Sequence, residues 1–397
     1  MLFLLASMGL KSQTASDSIV ASLLTCSPGT ETYALYGHTG LRMRNVTQGL
    51  DLVFNYGVFD FRRPNFTWHF ILGECDYEVD GYPFEVFMQE YYLRGSSVVE
   101  QTLNLSMEEA NRLYALMIIN CQKENRTYRY NFLQTNCTTK ARDQIEEAVD
   151  GNVVYEEREE HVTYRQLLRR QTEQYPWSEV GNDLLLGADC DTVLSDRAAQ
   201  FLPHQLMEYF AQAQIYDAQN NRKPLVARTQ VLLEGRPQSV PQVFPLSPLE
   251  VGLLTVVVFV LIALLEFWSK RMFWFWDILV MVVQGLAGLL LCFMFLFSEH
   301  PTVDSNWQIW LFNPLPLICM PWVVKCAFRH HRCLYHYLNS LSLVLFLVFM
   351  MWIPQSFSAL TLPLALALLT RPVSYLMHYS RTTSQSHSEN KKTNTPR

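Results

Sequence analysis

The residue with the clearest chemical potential is Cys137, in the stretch YNFLQTNCTTKARD at residues 130–143. It follows Asn136, a good helix N-cap because its side-chain oxygen accepts a free backbone N–H of the first turn. Cys137 then takes the first position of a predicted helix that runs toward Gly151. The partial positive charge at a helix start favours the thiolate, which is the nucleophilic form of cysteine. The pattern indicates a candidate nucleophile, with a small buried core cysteine as the alternative.

A cysteine nucleophile needs a base, which is usually a histidine. His38 lies in YGHTGLRM, on a predicted strand whose alternation places His38, Gly40 and Arg42 on one face. Asn55, in VFNYGVF on the next predicted strand, is suited to orient the imidazole, as asparagine does in papain-like triads. We therefore predict Cys137 as nucleophile, His38 as base and Asn55 as the orienting residue. A hydrogen-bonded structural histidine is the alternative for His38.

Five further residues are candidates for substrate contact: Arg42, Tyr56, Asn136, His300 and Asn313. Arg42 is suited to bind a phosphate, unless it is solvated or salt-bridged. The acidic residues of GNDLLLGADCD have no histidine at metal-ligand spacing, so turn and cap roles are favoured over a metal site. We predict neither a metal nor a cofactor.

The composition divides the 397 residues into two parts. Hydrophobic residues make up 49% and charged residues 17%, but long apolar runs begin only after about residue 244. The net charge of −6 and the absence of a basic stripe argue against nucleic-acid binding. The first part has the mixed composition of a soluble domain, and the second that of a membrane domain.

Five apolar segments indicate about five membrane spans, at residues 249–268, 278–297, 309–324, 337–353 and 357–369. A span needs about 20 residues, so the last segment is short unless it continues toward Tyr379. Basic residues occupy alternate loops and the tail: Lys270, Arg271, Lys325, Arg329, Arg332, Arg371, Arg381, Lys391, Lys392 and Arg397. The positive-inside rule therefore predicts a cytoplasmic C-terminus and an exported N-terminal domain. Residues 1–16 are interpreted as a signal peptide.

The third apolar segment contains the sequence NPLP at residues 313–316. Prolines free backbone carbonyls, and a span tolerates such a break only where other groups satisfy them. The preceding loop, residues 298–308, carries His300. We expect this loop and the broken segment to lie beneath the Cys137–His38 pair.

Strand-like patterns at residues 32–44, 52–59, 66–72 and 97–103 precede a helix that Ser106 opens with a capping box. Further helices are predicted at residues 164–173 and 198–213, the second bent at Pro203, and residues 241–248 form a proline-containing linker. Strands first and helices later indicate an α+β domain. Its five cysteines leave at least one thiol unpaired if all bonds are internal, and the pairing of the others stays open.

The segments CSPGTETYALYGHTGLRM, FNYGVFDF, YNFLQTNCTTKARD, FLPHQL and EHPTVDSNWQIWLFNPLP resemble the lipoprotein N-acyltransferase family of Bacteroides-type bacteria. A strand with GH followed by a helix-opening NC is also similar to circularly permuted papain-like (NlpC/P60-like) enzymes, which include lecithin:retinol acyltransferase-like proteins. The resemblance implies a permuted papain-like periplasmic domain at residues 17–240. It also implies an all-α five-helix transmembrane domain at 249–379 and a cytoplasmic tail at 380–397.

The resemblance further implies an acyltransferase of the bacterial inner membrane. Its acyl donor would be a membrane phospholipid, and its acceptor the α-amine of a diacylated lipoprotein, by way of a Cys137 thioester. Two alternatives stay open at this point: a membrane-tethered cysteine peptidase or amidase acting on cell-wall peptides, and a non-catalytic membrane scaffold.

Overall fold

The computed structural model describes residues 19–59, 65–238, 244–329 and 331–393. Two compact units divide the chain. The first comprises Met1–His69, Glu74–Val162 and Leu194–Ser239, and the second comprises Phe70–Gly73, Thr163–Val193 and Val240–Arg397. The predicted signal peptide and part of the predicted linker, residues 241–243, lie outside the described residues.

A seven-stranded antiparallel sheet forms the centre of the first unit. Its strands are β1 (Val20–Cys26), β2 (His38–Asn45), β3 (Leu50–Val58), β4 (Asp76–Pro83), β5 (Val98–Leu103), β6 (Thr127–Arg129) and β10 (Val226–Leu233). The strand order is β10-β5-β1-β2-β3-β4-β6. A second, three-stranded sheet joins β7 (Asn152–Val154), β8 (Gln214–Tyr216) and β9 (Arg222–Pro224).

Helices pack on both faces of the large sheet. They are α2 (Phe84–Arg94), α3 (Met107–Asn120), α4 (Cys137–Ala148) and α8 (Pro203–Gln212). Two further helices, α1 (Phe66–Leu72) and α7 (Asp196–Ala199), are short. Leu41 and Phe54 lie in one core with Ile145 of α4. Val53 and Phe87 of α2 lie in another core, because neighbouring residues of a strand face opposite sides. The first unit is therefore α+β, as predicted.

Three local predictions differ from the structure. Residues 66–72 form the helix α1, so the strand prediction there is wrong; aromatic residues fit either element when no partner strand is known. Residues 32–44 divide into a short 3-10 helix, Thr32–Ala34, and β2, with Gly37 at φ +75° before the strand begins. The helix predicted at 198–213 is two helices, because Pro203 begins α8. Proline is tolerated in the first turn of a helix, where a backbone N–H would have no intrahelical acceptor.

The second unit is helical. Its elements are α5 (Tyr164–Thr172), α6 (Pro176–Leu185), α9 (Pro248–Ser269), α10 (Trp274–Phe297), α11 (Gln308–Leu311), α12 (Leu315–Phe328), α13 (Leu334–Phe349) and α14 (Thr361–Thr393). Among the described residues, three segments are long and apolar enough to cross a membrane: Pro248–Ser269, Trp274–Phe297 and Gln308–Phe328. Leu334–Phe349 is apolar but shorter. The total of five spans stays a prediction.

The segment Thr163–Val193 packs with loops between the apolar helices. Arg165 is almost fully buried and binds Asp183 at 2.8 Å and Asp191 at 2.9 Å. Asp191 also accepts the N–H of Ser356, and the Asn306 side chain donates to the Leu184 carbonyl in α6. Two of the acidic residues in GNDLLLGADCD therefore bind an arginine within the second unit.

Candidate active site

Cys137 occupies the first residue of α4, as predicted. The Asn136 side-chain oxygen accepts the N–H groups of Thr138 at 2.8 Å and Thr139 at 3.0 Å. The Asn136 amide in turn donates to the carbonyls of Phe132 and Phe201. Within the described part of the chain, this cap leaves the backbone N–H of Cys137 without a protein acceptor. The first turn is thus held rigidly while Cys137 itself stays half-buried.

His38 opens β2, and Gly37 sets its position. An added Cβ on Gly37 would lie 2.6 Å from the Cys26 carbonyl oxygen, and its φ of +75° disfavours any side chain. His38 pairs with Cys26 at the end of the β1–β2 ladder. The sharp turn therefore places the imidazole at the start of β2, a central strand of the sheet.

The two predicted partners of His38 both contact its ring. Nε2 bonds to the side-chain oxygen of Asn55 on β3, and the Asn55 amide donates to the Tyr82 hydroxyl on β4. The ring also hydrogen-bonds to Cys137. Since Nε2 is held by Asn55, Nδ1 is the nitrogen that meets the thiol. Tyr91 of α2 stacks nearly parallel to the imidazole, with ring centroids 6.4 Å apart.

The electrostatics favour a thiolate–imidazolium pair. Burial alone raises the pKa of Cys137, but the charge and hydrogen bond of His38, with bonds from the Thr39 N–H and Thr138, bring that pKa below its ordinary value. Burial alone lowers the pKa of His38, but the Cys137 charge and the bonds to Cys137 and Asn55 raise it above its ordinary value. Each partner therefore stabilises the charged form of the other.

The four other cysteines that precede the apolar helices differ from Cys137. All nine cysteines of the chain are free thiols. Burial raises the pKa of the Cys26 and Cys75 thiols, that of Cys121 to about 11 and that of Cys190 to about 12. Of these five cysteines, Cys137 alone has a lowered pKa, as expected of a reactive thiol and not of a buried structural one.

Three residues at the site were not predicted. The Tyr82 hydroxyl accepts a hydrogen bond from the Asn55 amide. Thr39 donates its backbone N–H to the Cys137 sulfur. The Thr39 hydroxyl lies 3.1 Å from the Thr138 hydroxyl, where β2 contacts α4. Thr39 follows His38 directly, so the GHT sequence offered a local signal. Tyr82 depends on the pairing of β3 with β4, which no local pattern specifies.

Three of the predicted substrate contacts have structural partners instead. Arg42 is buried and binds Asp51 at 2.6 Å and Glu100 at 3.1 Å, which is the salt-bridged alternative. Tyr56 is 2% exposed and accepts a hydrogen bond from Asn120. Asn136 uses its side chain as the α4 cap. Among the described residues, these three side chains are thus engaged in structural contacts, and their substrate role stays a prediction.

The two candidates in the second unit also have local roles. His300 bonds through Nε2 to the Phe70 carbonyl at 2.5 Å. Asn313 lies in the break between α11 and α12, where it donates to the Trp310 carbonyl and accepts the Leu315 N–H. The Gln284 amide satisfies the Leu311 carbonyl in the same break. The interruption is real, and polar side chains satisfy the backbone it frees.

Two family models match the chain. The model described as the Lnb N-terminal periplasmic domain matches residues 7–170, and that described as the Lnb transmembrane domain matches residues 239–382. Together they cover well over half of the chain. No curated protein and no solved structure matches it. The first match contains His38, Asn55 and Cys137, and the second contains the apolar helices α9 to α13 and much of α14.

Proposed function

Because the chain belongs to the Lnb-type lipoprotein N-acyltransferase family, we propose that Cys137 carries the transferred acyl group as a thioester. The observation that supports this most directly is the Cys137–His38–Asn55 arrangement at the start of α4. The donor in this proposal is a membrane phospholipid. The acceptor is the α-amine of a lipoprotein's diacylated N-terminal cysteine.

In the first half-reaction, the Cys137 thiolate attacks an ester carbonyl of the phospholipid. The tetrahedral intermediate collapses when the carbon–oxygen bond to the glycerol breaks. The His38 imidazolium gives its proton to the leaving alkoxide, and a lysophospholipid departs. The products are an acyl-thioester on Cys137 and a neutral His38.

In the second half-reaction, the lipoprotein α-amine attacks the thioester carbonyl. His38, now neutral, accepts the proton that the amine loses, and the carbon–sulfur bond breaks to release the Cys137 thiolate. The product is an amide on the lipoprotein. Asn55 keeps Nδ1 directed at the sulfur in both steps, because it holds Nε2.

The oxyanion of each intermediate needs a donor that is free before the reaction. The unengaged N–H of Cys137 at the α4 start meets that requirement, and the helix N-terminus adds a partial positive charge. We assign this N–H as one oxyanion donor. The chemistry needs no metal ion at any step.

The family places the protein in the membrane, with a periplasmic N-terminal domain and a transmembrane domain. We propose the bacterial inner membrane as its location, with the C-terminus in the cytoplasm because of the basic loops. The division at residues 240–249 between the enzyme domain and the spans is likewise proposed.

Intact-mass analysis of the full-length protein, incubated with phospholipid vesicles, tests the proposal. We expect an acyl adduct that neutral hydroxylamine removes from the wild type and that is missing from Cys137→Ala. Cys121→Ser is the matched control, because Cys121 is a half-exposed thiol with a raised pKa. An adduct that persists in Cys137→Ala refutes the assignment, and release of soluble peptides from cell wall without any adduct indicates a peptidase.

A further inference from the structure

Two adjoining cavities lie at the C-terminal end of α9. One, of about 790 Å³, lies between α9 and α14. The other, of about 390 Å³, is lined by residues of α10, α12, α13 and α14. Lys270, Met272 and His378 line both cavities. They therefore form one two-lobed cleft.

The larger lobe is an apolar groove. Val260, Ala263, Leu264 and Phe267 line it on one face of α9, at spacings of three and four residues. Helix α14 supplies the other side, including Met377. From Val260 to Lys270 the helix rises about 15 Å, which is half of a hydrocarbon core of about 30 Å. The groove thus matches the depth of one lipid leaflet.

The smaller lobe is polar where it meets the groove. Lys270 and Arg271 line it, and neither forms an ion pair with any other residue that the structure describes. His336 also lines it. This side chain is 3% exposed, and its Nδ1 has no hydrogen-bond partner within the described residues. Two cations and an unsatisfied buried imidazole thus face one cavity.

The two carboxylates at the cleft, Asp277 and Glu266, are already bound to the same arginine, Arg371. Asp277, in the smaller lobe, accepts from Arg371 at 2.7 Å, and Glu266, in the larger lobe, binds Arg371 at 2.9 Å and Ser374 at 2.6 Å. Arg371 is itself buried. Lys270 and Arg271 therefore remain available for an external anion.

Lys270 has a backbone conformation that lysine rarely adopts. It ends α9 at φ +56°, in the left-handed region where glycine is preferred. A lysine there is disfavoured relative to glycine, which has no Cβ. Its presence fits a requirement for the charge at this position.

We propose that the cleft binds an anionic glycerophospholipid, with an acyl chain in the α9–α14 groove and the phosphate at Lys270 and Arg271. His336 supplies a further polar contact to the headgroup. The cleft lies at the membrane end that carries basic loops, so the lipid comes from the cytoplasmic leaflet. This lipid is bound rather than consumed, and the site is independent of the acyl transfer at Cys137.

Native mass spectrometry of the full chain in detergent, with phosphatidylglycerol or phosphatidylcholine of identical chains, tests the site. We expect phosphatidylglycerol to be retained preferentially. Lys270→Gly with Arg271→Gln should weaken that binding about 30-fold, since two phosphate contacts are lost. Glycine is favoured at φ +56°, so this variant keeps the fold. Lys325→Gln is the matched control, because Lys325 is exposed on α12 and lines neither cavity.

A second pair of variants tests the groove. Ala263→Phe fills it and should displace the lipid, whereas Leu261→Phe, on the exposed side of α9, should not. Glycerol phosphate should compete only weakly, because it lacks the chain. Equal retention of both lipids, or equal loss in Lys325→Gln, overturns the proposal, and full competition by glycerol phosphate indicates a site for free phosphate instead. These outcomes are read as binding, so they do not depend on the acyltransferase assay.

Discussion

Asn55→Ala separates the orientation of His38 from its chemistry. The substitution removes the acceptor for His38 Nε2 and the donor to the Tyr82 hydroxyl. His38 then keeps only its bond to Cys137 and its packing against Tyr91. The imidazole gains rotational freedom about its side chain without losing its ability to carry a proton.

The size of the effect follows from the single bond that is lost. A hydrogen bond to a charged group contributes about 1.5–3 kcal/mol. At 1.36 kcal/mol for each factor of ten, thioester formation should slow by about 10- to 150-fold. His38→Ala removes the acid and base altogether and should slow it by about 100- to 10,000-fold. The expected order of damage is therefore Cys137→Ala, then His38→Ala, then Asn55→Ala.

Single-turnover formation of the Cys137 adduct from phospholipid vesicles measures these rates. The bond that His38 Nε2 donates to the Asn55 oxygen raises the pKa of His38, so Asn55→Ala should also move the alkaline limb of the rate profile to lower pH. Asn55→Asp, which keeps the acceptor, should retain more activity than Asn55→Ala. Tyr82→Phe is the control, because it leaves the Asn55–His38 bond intact.

Two results would refute this reasoning. One is an Asn55→Ala rate within about threefold of the wild-type rate, because the loss of one hydrogen bond to a charged group should slow the reaction by more than that. The other is a Tyr82→Phe loss as large as that of Asn55→Ala, which would mean that the tyrosine, and not the amide, controls the imidazole.

Two further predictions concern the pair and the turn before it. The thiolate–imidazolium pair exists above the lowered pKa of Cys137 and below the raised pKa of His38, so iodoacetamide should alkylate Cys137 at a lower pH than an ordinary thiol, whose pKa is about 8.5. His38→Ala should move the inflection upward, and a wild-type profile like that of free cysteine would contradict the pair. Gly37→Ala should lower the free energy of unfolding by more than Gly49→Ala in chemical denaturation. Both have φ near +70°, but only Gly37 closely approaches the Cys26 carbonyl; equal losses would exclude the close contact.

The half of the site that depends on local structure could be read from the sequence. A helix cap involves residues within three positions of each other, so Asn136 and Cys137 were predictable without knowledge of the fold. His38 and Asn55 were predictable as a pair only because neighbouring strands in a chain usually pair. The structure gives them adjacent antiparallel strands, with Gly40 opposite Asn55.

The residues that were missed, and the observed partners of two predicted substrate contacts, depend on distant pairing. Arg42 meets Glu100 because β1 lies between their strands in the sheet, an order that alternation cannot specify. Tyr56 was predicted to contact the substrate. The position of α3 makes it a core residue that accepts a hydrogen bond from Asn120. Alternation predicts which residues share a face, while the element covering that face decides what they contact.

The packing of Thr163–Val193 has a consequence for biosynthesis. Arg169 is made early, but two of its partners, the carbonyls of Ser356 and Phe357, follow 187 and 188 residues later. At about 5–20 residues per second, the segment waits about 10–40 s for those partners. Throughout that interval, Arg169 lacks these two carbonyls, although its partner Asp183 is already made. The segment therefore completes these hydrogen bonds only after the chain beyond α13 has been made.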